Sequence, residues 1–272
     1  MNKKLFGVSF AQKKYDLALK YCQPAAEQGD PEAQYYLGLM YEKGFGLKQD
    51  YTEAMNWYLK AAEQDNKDAL CSLANMYLEG EGVKQDYTEA RNYFIKAANL
   101  GDASAQYNLG VMYSSGDGTK KDYIEAKNWF LKAAEQGQAK AQFNLGVLYF
   151  NGQGVKQDYF KAVEWHQKAA EQGYADAQYN LAKIYYLGKG VKQDFVNAKK
   201  WFEKAAKQGH AEAQCCLAGL YIQGLGVKQD LMNAKKWFEK AAKQGHAEAK
   251  AFLSDINSIL KSYTSKNIWK IQ

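Results

Sequence analysis

The feature that most constrains the fold is an internal repeat of 36 residues that runs through almost the whole chain. An Ala-Ala pair, a Gly-x-Gly segment and a large aromatic residue all recur at this step. Residues 197–213 and 233–249 are identical, which indicates duplication of one unit. A fixed period of this length is typical of proteins that stack one small structural unit on the next. The Ala-Ala pairs lie at 25/26, 61/62, 97/98, 133/134, 169/170, 205/206 and 241/242, and the Gly-x-Gly segments begin at Gly44, Gly80, Gly116, Gly152, Gly188 and Gly224.

Each unit is predicted to form two α-helices joined by a short loop between glycines. In residues 31–66, apolar residues recur at helical spacing and predict a first helix of about three turns. Gly44 and Gly46 end this helix, because glycine tolerates the left-handed backbone that helix ends commonly adopt. Asp50 is predicted to cap the second helix, and Glu53, three residues later, to complete a capping box. The unit is therefore a helix-turn-helix pair.

The units are predicted to form one continuous stack with helical ends. A lone helix pair cannot bury its apolar faces, whereas stacked pairs bury them continuously. We expect residues 1–30 to form a degenerate capping helix pair, a last helix at about 247–261 to close the stack, and 262–272 to be a tail. The six full repeats are 31–66, 67–102, 103–138, 139–174, 175–210 and 211–246, and the C-terminal capping helix and tail occupy 247–272.

One set of residues recurs in the same order in the units. In residues 103–138 it consists of Ala105, Leu109, Gly110, Tyr113, Gly116, Gly118, Asp122, Ala126, Trp129, Phe130, Ala133, Ala134 and Gly137. This pattern resembles the Sel-1-like repeat family, a branch of the tetratricopeptide-repeat superfamily, over roughly residues 11–250. The resemblance implies an all-α fold, a right-handed α–α superhelix (solenoid) whose first helices line a concave groove. It also implies a non-catalytic bacterial adaptor that holds a protein or peptide partner in this groove.

Charge and hydropathy exclude several functional classes. The net charge of +6 divides into −3 over residues 1–136 and +9 over residues 137–272. Most lysines alternate with acidic residues at helical spacing and are expected to solvate helix surfaces. Arg91 is the only arginine, so we expect no nucleic-acid binding. No run of 18 apolar residues occurs, and no membrane-spanning helix is predicted.

No catalytic residue, cofactor or metal site is predicted. The Gly-x-Gly segments lack the third glycine and the preceding strand of a phosphate-binding loop. His166 replaces a core aromatic residue and is interpreted as a packing residue, and His210 and His246 lie in equivalent turns too far apart to share a metal. The cysteines form neither a CxxC pair nor an even-spaced framework, so reduced thiols are expected. The four cysteines are Cys22, Cys71, Cys215 and Cys216.

Several positions in the first helices have no predicted packing role, and they carry aromatic and amide side chains. The resemblance places them in the groove. Asparagine can pair with both the donor and the acceptor of a peptide backbone, and aromatic neighbours supply contact area. The alternative is that the rings pack between successive first helices while the amides face solvent. The predicted partner-binding residues are Tyr107, Asn108, Phe143, Asn144, Phe150, Tyr179, Asn180, Lys183 and Tyr186.

Other functions and locations stay open. Some secreted, cysteine-rich relatives have been linked to β-lactam binding or hydrolysis, although this sequence lacks their dense cysteine pairs. Self-association through the end helices is a third possibility, with a monomer favoured. Residues 1–11 resemble a signal sequence only faintly and are interpreted as structure. The compartment stays open: the visible chain predicts a cytoplasmic protein, and a leader removed from it would predict a periplasmic or secreted one.

Overall fold

The computed structural model describes residues 10–268, with side chains through Ser258, and the regular structure of this part is entirely α-helical. The all-α prediction is confirmed. None of the helices in this range is both long and apolar enough to cross a bilayer. The fourteen helices described are α1 (Tyr15–Glu27), α2 (Pro31–Lys43), α3 (Tyr51–Ala62), α4 (Lys67–Glu79), α5 (Tyr87–Asn99), α6 (Ala103–Ser115), α7 (Tyr123–Glu135), α8 (Ala139–Asn151), α9 (Tyr159–Glu171), α10 (Ala175–Leu187), α11 (Phe195–Lys207), α12 (Ala211–Gln223), α13 (Leu231–Lys243) and α14 (Ala247–Ile268).

The ends of the chain differ in one respect from the prediction. Helix α14 continues to Ile268, so the residues from 262 to 268 are helical where a tail was predicted. Helix α1 is the second member of the predicted N-terminal pair. The start of that pair, residues 1–9, and the last residues, 269–272, lie outside the described residues.

The helices fall into two compact units, residues 1–141 and 142–272, with the boundary in the first turn of α8. Within the first unit, each helix from α1 to α7 packs against the next. Within the second unit, the same holds from α9 to α14. Each unit is therefore a stack of helix pairs in which short loops connect antiparallel neighbours.

The aspartates at the start of the second helices hold each pair together. The Asp50 carboxylate accepts hydrogen bonds from the backbone N–H groups of Thr52 and Glu53, which confirms the predicted N-cap. The prediction that the Glu53 side chain completes the capping box by binding the Asp50 N–H is wrong. The Asp50 N–H donates to the Tyr41 carbonyl of α2 at 2.9 Å and so ties the cap to the first helix. The same backbone bond recurs at Asp86, Asp122, Asp158, Asp194 and Asp230.

The two glycines of each loop have different tasks. Gly80 ends α4 in the left-handed conformation, with φ of 75°. Gly82 also has a positive φ, of 72°, and a Cβ placed there would collide with Cβ of Tyr51 at the start of α3. The first glycine therefore ends a helix, and the second lets the loop approach the preceding repeat.

A column of buried rings and a chain of glutamines form the interior of each unit. The Gln34 amide, 5% exposed, donates to the Ala26 carbonyl and accepts from Gln64 of the next turn. In the second unit, Gln178 does the same with Ala170 and Gln208. These bonds satisfy polar groups that burial would otherwise penalise. The ring positions are Tyr58, Phe94 and Phe130 in the first unit and His166, Phe202 and Phe238 in the second, and all are at most 2% exposed.

Candidate functional site

A cavity of about 200 Å³ lies among α8, α9 and α10 in the second unit. Phe150 supplies an aromatic wall from α8, and His166 lies at its side on α9. Asn180 and Lys183 reach it from α10, together with the apolar side chain of Ile184. The cavity therefore combines apolar walls with four polar side chains, those of Asn151, His166, Asn180 and Lys183, a composition typical of ligand sites.

Asn151 of this first cavity donates to the Gln153 side chain at 3.3 Å, whereas the other three polar side chains have little to bind within the protein. His166 is 1% exposed, and its Nδ1 makes no hydrogen bond. Burial lowers the pKa of His166 to about 4, so the ring is neutral at neutral pH. Among residues 10–258, no group forms a hydrogen bond with the side chain of Asn180 or an ion pair with Lys183. Uncommitted polar groups in a cavity are available to an external ligand.

A second cavity, of about 300 Å³, adjoins the first and shares Lys183 and Leu187 with it. Tyr179 and Tyr186 of α10 form one side, and Phe202 of α11 forms the floor together with residues of α12. The Lys183 ammonium lies 5.3 Å from the centre of the Tyr179 ring. We call the two together the paired cavities. Among the described residues that line them, Lys183 is the one with a charged side chain.

Gly219 of α12 opens the second cavity. The same repeat position carries Leu39, Asn75, Val111 and Val147 in other units. A Cβ placed on Gly219 would have no atom within 4 Å, so packing does not require glycine. Glycine inside a helix costs about 1 kcal/mol relative to alanine. The residue therefore lowers helix stability and leaves volume in the cavity.

The predicted binding residues of the second unit divide into two groups. Phe150, Asn180 and Lys183 line the first cavity, and Tyr179, Lys183 and Tyr186 line the second. The loop glutamines Gln157 and Gln193 each donate to the backbone carbonyl of a cavity residue, Phe150 and Tyr186, at 2.8 Å. These bonds hold the helix ends that carry the two rings.

The other predicted residues lie outside the paired cavities. The half-buried Phe143 ring packs 5.5 Å from His166 and 5.3 Å from Tyr174, as in the alternative in which rings pack between helices. Its neighbour Asn144 is half-buried on α8. In the first unit, Tyr107 and Asn108 lie on α6, and the Tyr107 ring is 5.9 Å from that of Phe130.

Three residues of the paired cavities are not among the predicted binding residues. His166 was interpreted as packing alone, and it is buried in the core column as well as lining the first cavity. Phe202 belongs to the same core column, yet borders the second cavity. Gly219 could have been found by aligning the units with one another, because it is a glycine in a column of larger residues.

Two solved bacterial structures are similar to this chain in sequence and fold. A protective antigen present in uropathogenic Escherichia coli strains, displaying an SLR fold, is 38% identical with a TM-score of 0.86, over 89% of this chain and 52% of the antigen. A Sel1 repeat protein from Oxalobacter formigenes is 34% identical with a TM-score of 0.78, over 88% of this chain and 96% of that one. The chain thus spans about half the length of the antigen. A comparison with curated proteins found no match.

The Sel1 repeat is also found directly in the sequence. Its family model matches residues 31–66, 67–102, 103–138, 139–174, 175–210 and 211–246, and additionally 5–30. There are therefore seven repeats, and the predicted degenerate helix pair of residues 1–30 contains the first of them. Proteins built from this repeat are generally protein-interaction scaffolds and typically not enzymes. Because the matches extend over most of its length, the chain belongs to the Sel1 repeat family.

Proposed function

We propose that the chain is an adaptor that binds a peptide or protein partner at the paired cavities. The observation that carries this proposal is the grouping of aromatic walls with an uncommitted amide and an unpaired ammonium, at Asn180 and Lys183. An amide can pair with the backbone of an extended peptide, and two neighbouring cavities suit two of its side chains. Since Lys183 is the charged lining residue, partners with a carboxylate near the apolar side chains are favoured.

The remaining predicted residues stay in the proposal as further partner contacts, each within its own unit. Phe143 and Asn144 precede the cavity residues on α8, and Tyr107 and Asn108 carry the same side-chain types on α6 of the first unit. We propose them as additional contacts. Rings with few rotatable bonds supply contact area at low entropic cost.

Filling the second cavity should weaken binding without harming the fold. A peptide is first selected on the intact protein from a random display library. Gly219→Val then introduces the residue found at position 147, and we expect at least tenfold weaker binding of that peptide. The melting temperature should stay the same or rise, because valine has the higher helix propensity. Asn75→Val makes the same kind of change in the first unit and should leave affinity unchanged. Full binding by Gly219→Val would refute this site.

Removing the Asn180 amide should also weaken binding. In Asn180→Ala, loss of one or two hydrogen bonds at about 1 kcal/mol each corresponds to roughly a tenfold higher Kd. The melting temperature should hardly change, because no described residue forms a hydrogen bond with this side chain. Fluorescence anisotropy with the labelled peptide measures the affinity, and Asn75→Ala on the exposed face of α4 is the control. Equal affinities of all three proteins would exclude a role for this amide.

The alternative of a β-lactam-binding protein or weak hydrolase has no specific observation in its favour. It rests on relatives with paired cysteines, whereas Cys22, Cys71, Cys215 and Cys216 are free thiols. Hydrolysis of nitrocefin by the purified chain is the assay that would revive it.

A further inference from the structure

Three side chains with metal-binding atoms converge where α12 meets the start of α14. They are Cys215, His246 and Glu248, and one ligand atom from each lies within 4.8 Å of the other two. Cys215 and His246 are half-buried, and Glu248 is exposed. The group lies outside the paired cavities, and the binding function proposed above does not use it.

The donor atoms of this cluster are largely uncommitted. Among residues 10–258, the Cys215 thiol makes no hydrogen bond and Glu248 forms no ion pair. The His246 Nδ1 accepts one hydrogen bond, from the Ala249 N–H at 3.3 Å, which leaves the second ring nitrogen without a partner. By contrast, the thiol of Cys22 donates to the Ala33 carbonyl at 3.0 Å.

In the preceding repeat, the histidine at the same position is held by contacts within the protein. There the equivalent histidine, His210, stacks on Tyr179 with 4.6 Å between ring centres. Its Nδ1 lies 3.3 Å from Glu212, and its Nε2 lies 3.4 Å from Asp176. In the last repeat, Cys215 replaces the tyrosine ring. The change removes the stack and brings a sulfur atom to the imidazole and the carboxylate.

We propose that Cys215, His246 and Glu248 bind a divalent transition metal ion of the zinc type. Thiolate sulfur, imidazole nitrogen and carboxylate oxygen are the ligands that Zn²⁺ takes in proteins, at about 2.0–2.3 Å. Such donors lie roughly 3.5 Å apart around a tetrahedral ion, so small side-chain rotations close the site. The thiolate and the carboxylate neutralise the double positive charge, and the thiol proton passes to the buffer. Water completes the fourth position on the exposed side.

The ion would fasten the last helix to the last repeat. Cys215 belongs to α12, whereas His246 caps α14 and Glu248 lies in its first turn. Because the unfolded chain does not hold these donors together, metal binding adds to the stability of the folded state. The proposal therefore predicts a thermal shift as well as a bound ion.

The test uses the full chain, reduced and freed of metal with a chelator, and titrated with Zn²⁺ or Co²⁺. We expect one ion per chain by calorimetry, a higher melting temperature, and a thiolate-to-cobalt charge-transfer band. Cys215→Tyr and His246→Asn should abolish all three signals. These variants introduce the chain's own residues from the equivalent positions Tyr179 and Asn66, and Asn66 caps α4 through the Ala69 N–H. Both variants should therefore fold.

The neighbouring cysteine provides the control. Cys216→Ser alters the next thiol and should retain the band, the stoichiometry and the thermal shift. Absence of a charge-transfer band in the unaltered chain would overturn the proposal. So would equal losses in Cys215→Tyr and Cys216→Ser, or binding that persists in His246→Asn, because each outcome places the metal elsewhere.

Discussion

Replacing His166 with phenylalanine should stabilise the chain by about 1–3 kcal/mol at pH 7. His166 is 1% exposed, and its Nδ1 has no hydrogen-bond partner, so the folded state carries an unsatisfied polar atom. Phe202 and Phe238 occupy the equivalent positions in the second unit. The substitution therefore introduces a ring that this architecture already accommodates. Urea unfolding of both proteins gives the difference in free energy of unfolding.

The same substitution should remove a pH dependence. Burial lowers the pKa of His166 from 6.5 in the unfolded chain to about 4 in the folded one. As the pH falls below 6.5, the unfolded chain takes up a proton that the folded chain does not. Stability that is present above pH 6.5 is therefore lost towards pH 4, by about 3 kcal/mol at most. The advantage of His166→Phe over the unaltered chain should widen by this amount across that window.

The reciprocal change in the first unit serves as a control for His166→Phe. Phe130→His places a histidine at the equivalent buried position and should create the penalty and the pH dependence that His166→Phe removes. A constant difference between His166→Phe and the unaltered chain from pH 7 to pH 4 would contradict the assignment. Because His166 also borders the first cavity, we expect His166→Phe to bind the selected peptide less well, a common trade between stability and function.

The periodic part of the structure was predictable because the same helix and turn signals recur in every repeat. A residue that is ambiguous in one repeat is interpreted from its equivalents in the others. The helices, the Asp50 cap and the helix-ending role of Gly44 all follow from local backbone preferences. The bond from the Asp50 N–H to the Tyr41 carbonyl was missed, since it depends on how two helices pack. The contact between Gln34 on α2 and Gln64 just after α3 also depends on how the two helices of one repeat pack, and it has no local signature either.

The candidate sites arise where a unit departs from the repeat, and this limits what periodicity can reveal. Gly219 opens a cavity, His166 leaves a polar atom in the core column, and Cys215 replaces a ring beside His246. Each departure is visible in the sequence as an unusual residue in its column. Its consequence depends on which neighbours surround it, and those come from adjacent repeats. Asn180 and Lys183 were predicted because they lie at first-helix positions to which the repeat pattern assigns no packing role.

The two glycines of a loop should differ sharply when each is changed to alanine. Gly224 and Gly226 both have positive φ, of 69° and 65°, so alanine at either position adopts a left-handed backbone at a cost of about 1–2 kcal/mol. A Cβ on Gly224 has its nearest neighbours at 3.5 Å, an ordinary contact. A Cβ on Gly226 would overlap the carbonyl group of Phe195 and lie 2.7 Å from the Val196 nitrogen. These are backbone atoms, so no side-chain rotation relieves the overlap.

We therefore expect Gly224→Ala to cost about 1–2 kcal/mol of unfolding free energy, and Gly226→Ala about 3 kcal/mol or more. Urea unfolding of the two variants isolates the steric part, because the backbone cost is shared. The first unit allows an independent repetition, since Gly116 has its nearest neighbour at 3.4 Å while a Cβ on Gly118 would overlap the Tyr87 carbonyl. Equal losses within both pairs would mean that the second glycine only shapes its own loop. Unequal losses in both would show that close stacking of successive repeats depends on it.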